Sequence, residues 1–535
     1  MAEQTGSSTD RDRSDQGILD EPYSAGDELR KKGRESPFRA VLHVAIVLVL
    51  CVVGAAIYWS YVQDSKKITE LVKEARDLQK ADDYASLLKA RAKFMDAIAI
   101  REDARAIGGV AAVDTSLLEL HGIEKAGDID VKAEAQKYTA LATELDVPTG
   151  DRFAAEAYLM IYQGKPDEAE KYLRGVLERG AADPRLLDAV GLALMVQGKT
   201  RDAREAFRKA IDLSAGAPRY AAAMGDAYFR DGEYANAWTF YNRAAVANAE
   251  HAKGRIGKLL AKAKQGGKLK VFAEQLQQVL DEPAERLSPK DRNFAEYAAA
   301  EVALGRGRRD EAQKFVDTAL ARDKNDARLH YLKGRILAEE SKVDEALRDF
   351  DEAIKLDPYT AAYYFDIAEI LRDAGRPSEA VDRIRLYGQK NYQSDEYKLK
   401  LGMALVDKGD LAEAEDIFKK MVEADEYDAD ALFGLGYVFE AQKKWEPARE
   451  AYGTADQRRQ GWGDPWLRMG HVALGEGDAG TAREYFDEAI KRYEKTGASR
   501  KARAKAWIGV AMTWEKEGKA KPAAKARDTA EKLLK

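Results

Sequence analysis

The sequence predicts an all-α protein, a solenoid of about twelve stacked pairs of antiparallel helices that follows one transmembrane helix. Three observations predict this fold class. A spacing of 34 residues recurs along residues 116–535, an uncharged apolar run occupies residues 40–62, and alanine is abundant while only 13 of the 535 residues are proline. Such a composition favours helices over sheets. We expect a disordered tail over residues 1–39, then the transmembrane helix, then a helical linker or capping segment over residues 63–115, and then the solenoid.

The apolar run from Ala40 to Val62 has the length and composition of a membrane-spanning helix. It contains no formally charged side chain and is long enough to cross the hydrocarbon core of a bilayer. Aromatic residues gather at its far end, where they would meet the lipid headgroups: Tyr58, Trp59 and Tyr61. A cleaved signal peptide is the rival interpretation, but the apolar run is too long and the preceding tail too extended for it. We therefore predict a permanent single-pass anchor that contacts the lipid bilayer.

Charges beside the apolar run predict its orientation. Five basic residues crowd the ten positions before it: Arg30, Lys31, Lys32, Arg34 and Arg39. The positive-inside rule then places the N-terminus in the cytoplasm and the solenoid outside it, which for a bacterial inner membrane means the periplasm. Only Lys66 and Lys67 lie in the ten positions after the run, but over a wider window Lys73, Arg76 and Lys80 make the two counts equal.

The overall composition excludes several classes of site. Lys and Arg (87) nearly balance Asp and Glu (93), so no global basic charge points to nucleic acid. The single cysteine, Cys51, excludes a disulfide framework and a multi-cysteine metal site. The five histidines have no metal-binding spacing. We expect no metal, no cofactor and no nucleic-acid partner.

The internal repeat decides the predicted fold. Its units begin at residues 116, 150, 184, 218, 252, 293, 327, 361, 395, 429, 463 and 504. Position 20 of the unit is alanine in eleven of the twelve: Ala135, Ala169, Ala203, Ala237, Ala312, Ala346, Ala380, Ala414, Ala448, Ala482 and Ala523. Position 15 is mostly glycine, and position 24 is aromatic in several units, as at Phe207, Tyr241, Phe350, Phe418, Tyr452 and Phe486. Glycine suits the turn that ends a first helix, and small residues at positions 8 and 20 let helices approach closely. One unit cannot bury its apolar face alone, so neighbours must stack into a continuous core.

These features resemble the tetratricopeptide-repeat family over about residues 116–535. The family's proline near position 32 is clear only at Pro358, and the units at 116 and 252 are degenerate. The resemblance implies a right-handed superhelix with a concave groove lined by positions 2, 5, 9, 12 and 13 of each first helix. In the later units positions 5 and 9 hold an apolar, partly aromatic stripe. Such a stripe at helical spacing is more often part of a core; the alternative is a protein-binding groove, formed by these residues: Tyr331, Phe365, Leu399, Phe433, Leu467, Tyr437 and His471. The lysine–asparagine clamp by which some members hold a chaperone's C-terminus is absent from these positions.

One motif resembles the phosphate-binding loop of nucleotide-binding enzymes. Ala193 to Thr200 matches a relaxed phosphate-loop pattern ending in Gly198, Lys199 and Thr200. A real phosphate loop follows a strand, whereas here the repeat register places Ala193 inside a first helix and Gly198 at the position-15 turn. We therefore expect no enzyme activity, and a nucleotide-binding enzyme remains only a distant alternative.

The C-terminal region is strongly basic. Residues 491–535 contain 14 Lys and Arg against five Asp and Glu, a net charge of about +9. Anionic partners suit such a surface, although a solvated lysine-rich helix explains it as well.

The sequence thus favours a membrane-anchored scaffold or adaptor for protein–protein interaction. It resembles bacterial envelope proteins that carry one N-terminal anchor and a repeat array, and that assemble or chaperone envelope, secretion or motility complexes. The alternative is a cytosol-facing receptor for organelle import or chaperone docking. The partner is another protein or peptide, and the sequence makes no prediction about self-association.

Overall fold

A computed structural model describes residues 37–147, 150–180, 182–214, 216–283, 285–389 and 394–534. The chain divides into two compact parts, which are distinct from the repeat units: the first ends at Thr69 and the second begins at Glu70. The described residues fold into 26 helices and one two-stranded antiparallel sheet, which confirms the predicted all-α solenoid and the long apolar helix before it. Of the predicted disordered tail, residues 1–36 lie outside the described residues.

The helices, numbered here in chain order, have the following bounds: α1 Pro37–Ala81, α2 Tyr84–Ile100, α3 Ala104–His121, α4 Val131–Glu144, α5 Gly150–Tyr162, α6 Pro166–Glu178, α7 Pro184–Val196, α8 Thr200–Leu213, α9 Pro218–Arg230, α10 Tyr234–Ala247, α11 Ala252–Lys264, α12 Leu269–Leu280, α13 Pro289–Gly305, α14 Arg309–Arg322, α15 Ala327–Glu339, α16 Val343–Leu356, α17 Ala361–Asp373, α18 Pro377–Gly388, α19 Asp395–Lys408, α20 Leu411–Ala424, α21 Ala429–Ala441, α22 Trp445–Arg458, α23 Asp464–Glu476, α24 Ala479–Thr496, α25 Arg500–Lys516 and α26 Ala520–Leu534. The strands are β1 Lys125–Ala126 and β2 Ile129–Asp130.

Each unit from residue 150 onward is a pair of antiparallel helices joined by a tight turn. The first helices are the odd-numbered ones from α5 to α25, and the second helices are the even-numbered ones from α6 to α26. Glycine at position 15 ends a first helix in the left-handed backbone conformation, with φ of +75° at both Gly198 and Gly232. Side chains with a Cβ rarely adopt this conformation, which explains why glycine recurs at that position.

The position-24 rings fill the space between neighbouring units. The six rings named above are at most 1% exposed. Tyr241 lies between Gly225 of its own unit and Gly257 of the next, and a Cβ on either glycine would approach its ring to 2.7 Å or less. The alanines at position 20 are buried as well, ten of them with no exposed surface and Ala523 with 3%. Small residues and rings therefore form one continuous interlocked core, as the repeat physics predicts.

The predicted register and the helices differ at the first unit. Residue 116 falls inside α3, and the turn between α3 and α4 is the short β1–β2 hairpin, in which Lys125 pairs with Asp130. At the second of the longer repeat spacings, α24 has 18 residues and α25 has 17. The extra residues thus lengthen both helices by about one turn each.

The solenoid winds so tightly that units four or five apart touch. His121 at the end of α3 lies 3.5 Å from Asp291 at the start of α13. In the next turn of the superhelix, Arg230 at the end of α9 pairs at 2.5 Å with Asp357, which precedes α17. Tyr359 from the same segment covers Gly198. Successive turns of the superhelix are therefore in direct contact.

Candidate protein-binding face

First helices of neighbouring units contact one another directly, as α9 with α11 and α19 with α21. This proximity places the first helices on the inside of the superhelical curve. We call the surface formed by α15, α17, α19, α21 and α23 the inner face. It carries all seven residues that the sequence predicts for a binding groove.

Most residues of the predicted apolar stripe are covered by neighbouring side chains. Phe365 is 2% exposed and Tyr331 is 6% exposed, and Phe433 and Leu467 are 8% exposed each. Phe433 packs 4.8 Å from the ring of Trp462, measured between ring centroids. Since so little of these four side chains reaches solvent, packing accounts for their apolar character. Their role in binding stays a prediction.

The other three residues of the stripe are only partly buried: Leu399, Tyr437 and His471. The guanidinium of Arg468 stacks 4.2 Å from the centroid of the Tyr437 ring, and the Tyr437 hydroxyl donates to Asp407 of the preceding unit. His471 meets the ring of Phe486 edge-on at 5.1 Å. These three side chains are the part of the predicted stripe that is partly open to solvent.

Ion pairs run along the inner side of the solenoid and connect successive first helices. Glu301 of α13 lies 2.8 Å from Lys264 of α11 and 2.9 Å from Arg335 of α15. Further along, Arg372 pairs with Asp407, and Arg468 pairs with Glu440 at 2.8 Å. The sequence analysis did not predict this series of ion pairs, because it considered the apolar residues at position 5. Charges of opposite sign at positions 6, 9, 12 and 13 of successive units were the signal available.

Burial and neighbouring charges shift the pKa values of Glu301 and His471. Burial raises the pKa of Glu301, but Arg335 and Lys264 outweigh it and hold the pKa at about 2. Burial lowers the pKa of His471 to about 4, and the charge of Arg468 acts in the same direction. At neutral pH the buried Glu301 of α13 is therefore charged, and His471 of the inner face is neutral.

The segment that resembles a phosphate loop, residues 193–200, folds as the repeat register predicts. Ala193 is buried inside α7, and Gly198 occupies the left-handed turn conformation. Lys199 is exposed and pairs with Glu170 at 3.0 Å. No strand precedes the motif within the described part of α5–α7, so the backbone cradle of a phosphate loop does not form here.

The described residues contain no group of three or more His, Cys, Asp or Glu side chains that can hold a metal ion. The expectation that no cofactor is needed stays a prediction.

One described helix is long and apolar enough to cross a membrane. This helix is α1; its candidate span, Val41–Ala81, contains an 18-residue window with a mean hydropathy of 2.7, none of which is buried. Its exposed apolar side chains include Val41, Leu50 and Trp59, each more than 60% exposed.

Comparison with known proteins finds helical repeats. A family model described as a tetratricopeptide repeat matches residues 189–252, 297–361, 339–389 and 399–465, and a second model of the same description matches residues 464–496. No curated protein sequence matches the chain.

Three solved structures illustrate the structural likeness. Pseudomonas aeruginosa PilF has 19% identity, with 38% of this chain and 94% of PilF covered and a TM-score of 0.30. The Cut9–Hcn1 hetero-tetramer of the APC/C has 14% identity, coverage of 80% and 87%, and a TM-score of 0.37. The human IFIT1 dimer with PPP-AAAA has 16% identity, coverage of 72% and 90%, and a TM-score of 0.39.

Proposed function

Because this chain belongs to the tetratricopeptide-repeat family, a family of protein–protein interaction scaffolds, we propose that it is a membrane-anchored scaffold. We propose further that it assembles or chaperones protein complexes of the bacterial envelope, of secretion or of motility. The partner is a protein segment that lies along the inner face. The observation that carries this proposal is the set of half-buried side chains on that face, Leu399, Tyr437 and His471.

The apolar helix supports the anchor. An exposed apolar surface of this length is unusual on a soluble protein and marks contact with another apolar phase. A bilayer supplies that phase along residues 41–62, and the aromatic residues at the far end suit the headgroup region. The helix is therefore proposed as the permanent anchor.

The basic flank supports an orientation with the solenoid outside the cytoplasm. An alkaline phosphatase fusion after Lys535 tests it, because this reporter is active only outside the cytoplasm. We expect an active fusion. An inactive phosphatase together with an active cytosolic reporter at the same site would contradict the orientation and favour the cytosol-facing receptor.

The exposed groups of the inner face indicate the chemistry of the partner. Glu369 and Glu396 are exposed on α17 and α19, and the partly buried Leu399 and Tyr437 lie on α19 and α21. A segment with apolar anchors and basic side chains fits such a surface, either as an amphipathic helix or as an extended peptide.

Site-specific photocrosslinking in the intact membrane tests the binding face. A photoreactive side chain replaces Leu399 or Tyr437, and the matched control replaces Leu386, a 37% exposed residue on the second helix α18. We expect a crosslinked product of the same mass from both inner positions and not from the control. Equal crosslinking from Leu386, or none from the inner positions, would show that partners bind elsewhere.

A further inference from the structure

Three contacts between successive turns of the superhelix share one geometry. In each, the segment at the start of a later first helix meets the end of a first helix four or five units earlier. The first joins α13 to α3 through Asp291 and His121, and the second joins the start of α17 to α9 through Asp357 and Arg230. The third joins the start of α25 to α17 through Lys505 and Asp373, at 3.2 Å.

The third contact is much more exposed than the other two. The side chains of His121 and Asp291 are 10% and 11% exposed, and those of Arg230 and Asp357 are 15% and 28% exposed. At the third contact the values are 47% for Lys505 and 32% for Asp373. Water and dissolved ions therefore reach the third contact most easily.

The third contact is also the most ionic. Asp373 pairs with both Lys501 and Lys505, which lie one helical turn apart on α25. The guanidinium of Arg500 donates to the carbonyl oxygen of Arg306 at 3.2 Å. Both acceptors lie at helix C-termini, where the partial negative charge of the helix dipole favours cations. Burial raises the pKa of Asp373, but the two lysines outweigh it and leave the pKa below its usual value.

Apolar packing holds the C-terminal helix pair to its sequence neighbours, and among the described residues their core cluster includes none from the earlier turn. Ala506, Val510 and Ala511 of α25 share a core cluster with Leu467 and Phe486 of the preceding unit. If the ionic contact with α17 is lost, α25 and α26 therefore remain docked on the unit before them. Only the closure between turns depends on charge.

We propose that the basic start of α25 is a salt-sensitive latch that closes the last turn of the superhelix by binding Asp373 and the carbonyl end of α13. In the closed state it holds the later first helices against the earlier turn. When the ion pairs are screened or displaced, the last turn opens and the inner face of α19, α21 and α23 becomes accessible from the side. This second step, the admission of a partner, rests on the proposed function, whereas the latch itself does not.

A distance measurement between the two turns tests the latch without any partner. The full chain is placed in lipid nanodiscs with Cys51→Ser, and single-molecule fluorescence energy transfer is read between dyes on Lys314→Cys of α14 and Lys525→Cys of α26, both exposed sites. Raising the salt from about 0.05 M to about 0.5 M shortens the Debye length from roughly 14 Å to roughly 4 Å. We expect one high-transfer population at low salt and a second, low-transfer population at high salt.

A charge exchange identifies the residues responsible. Lys501→Asp with Lys505→Asp should produce the low-transfer population at low salt, and adding Asp373→Lys should restore the high-transfer one. The matched control, Lys521→Asp with Lys532→Asp, makes the same change of net charge on α26 and should leave transfer unchanged. Circular dichroism confirms that each variant is folded, and the salt titration of the otherwise unchanged chain decides the matter if one is not.

The outcomes separate the two proposals. Transfer that is unchanged by salt and by the exchange would overturn the latch, whatever the partner is. Equal opening by the control variant would also overturn it, because net charge alone would then be the cause. If the latch opens as expected but crosslinking from Leu399 and Tyr437 captures nothing in either state, the latch stands and the proposed binding face fails.

Discussion

Lys199 shows how a single residue can suggest a chemistry that its surroundings do not support. Its ammonium group pairs with Glu170 at 3.0 Å, and its side chain is 47% exposed. Exposed ion pairs of this kind contribute little to stability. We expect Lys199→Ala to change the free energy of unfolding by no more than about 0.5 kcal/mol, the usual range for a surface substitution. Urea denaturation measures this change, with Lys165→Ala, at the same position of the preceding unit, as the control.

Calorimetric titration with ATP completes that test. We expect no measurable heat of binding for either the unchanged chain or the variant. ATP affinity that is present in the former and lost in the latter would show that the turn holds nucleotide after all.

His471 should make its part of the inner face sensitive to acid. Its pKa is about 4 in the folded chain, against an ordinary value of 6.5. Between pH 4 and pH 6.5 the imidazole is therefore protonated in the unfolded chain and neutral in the folded chain. Stability is therefore full above pH 6.5 and falls as the pH drops from 6.5 toward 4. From pH 7 to pH 5 the loss should be about 1.5–2 kcal/mol. Urea unfolding followed by the fluorescence of the nearby Trp462 and Trp466 measures the loss, and an equal loss in His471→Gln would assign the acid sensitivity to other groups.

At the scale of the helix pair, the close contact between an aromatic ring on the second helix and a glycine on the first helix determines the distance between the two helices. A Cβ on Gly436 of α21 would lie 2.7 Å from the ring of Tyr452, whereas a Cβ on Gly453 of α22 would meet nothing within 4 Å. Both glycines lie inside helices, so alanine gains about 1 kcal/mol of helix propensity at either site. The clash at Gly436 should cost about 1–3 kcal/mol.

A comparison of the two alanine variants therefore separates the cost of the clash with Tyr452 from the gain in helix propensity. We expect Gly453→Ala to raise the melting temperature of the solenoid and Gly436→Ala to leave it unchanged or lower it. Thermal unfolding followed by circular dichroism measures both. A rise for Gly436→Ala as large as that for Gly453→Ala would mean that Tyr452 moves aside at little cost.

The helix pairs were predictable from the sequence because their determinants are local. Gly198 and Gly232 recur at a fixed spacing, and the left-handed turns that they form depend on nothing distant. The β1–β2 hairpin was not predictable, because the first unit lacks the repeat pattern there. The burial of Phe365 was not predictable either. Whether an apolar residue at position 5 is covered depends on which side chain the second helix of its own unit packs against it, here Tyr387 of α18, whose ring centroid lies 5.2 Å from that of Phe365.

At the scale of the whole solenoid, contacts between turns add a coupling that a linear stack lacks. In a linear array each unit contacts only its neighbours, and stability is close to a sum of nearest-neighbour terms. Here Arg230 joins Asp357 and the carbonyl oxygen of Met195, each at 2.5 Å. The pitch that creates this contact comes from small rotations accumulated over four units, which no local sequence pattern reports.

This coupling predicts a mutational effect at a distance. Arg230→Met keeps much of the apolar stem and removes the charge, so it leaves Asp357 without its cation and should cost about 1.5–3 kcal/mol locally. Hydrogen exchange of the full chain should then become faster in α9 and, 127 residues away, at the start of α17. Arg208→Met, at an exposed arginine of the second helix α8, is the control and should change neither. Faster exchange confined to α7–α9 would mean that the solenoid behaves as a linear array, and that Arg230 serves only its own turn.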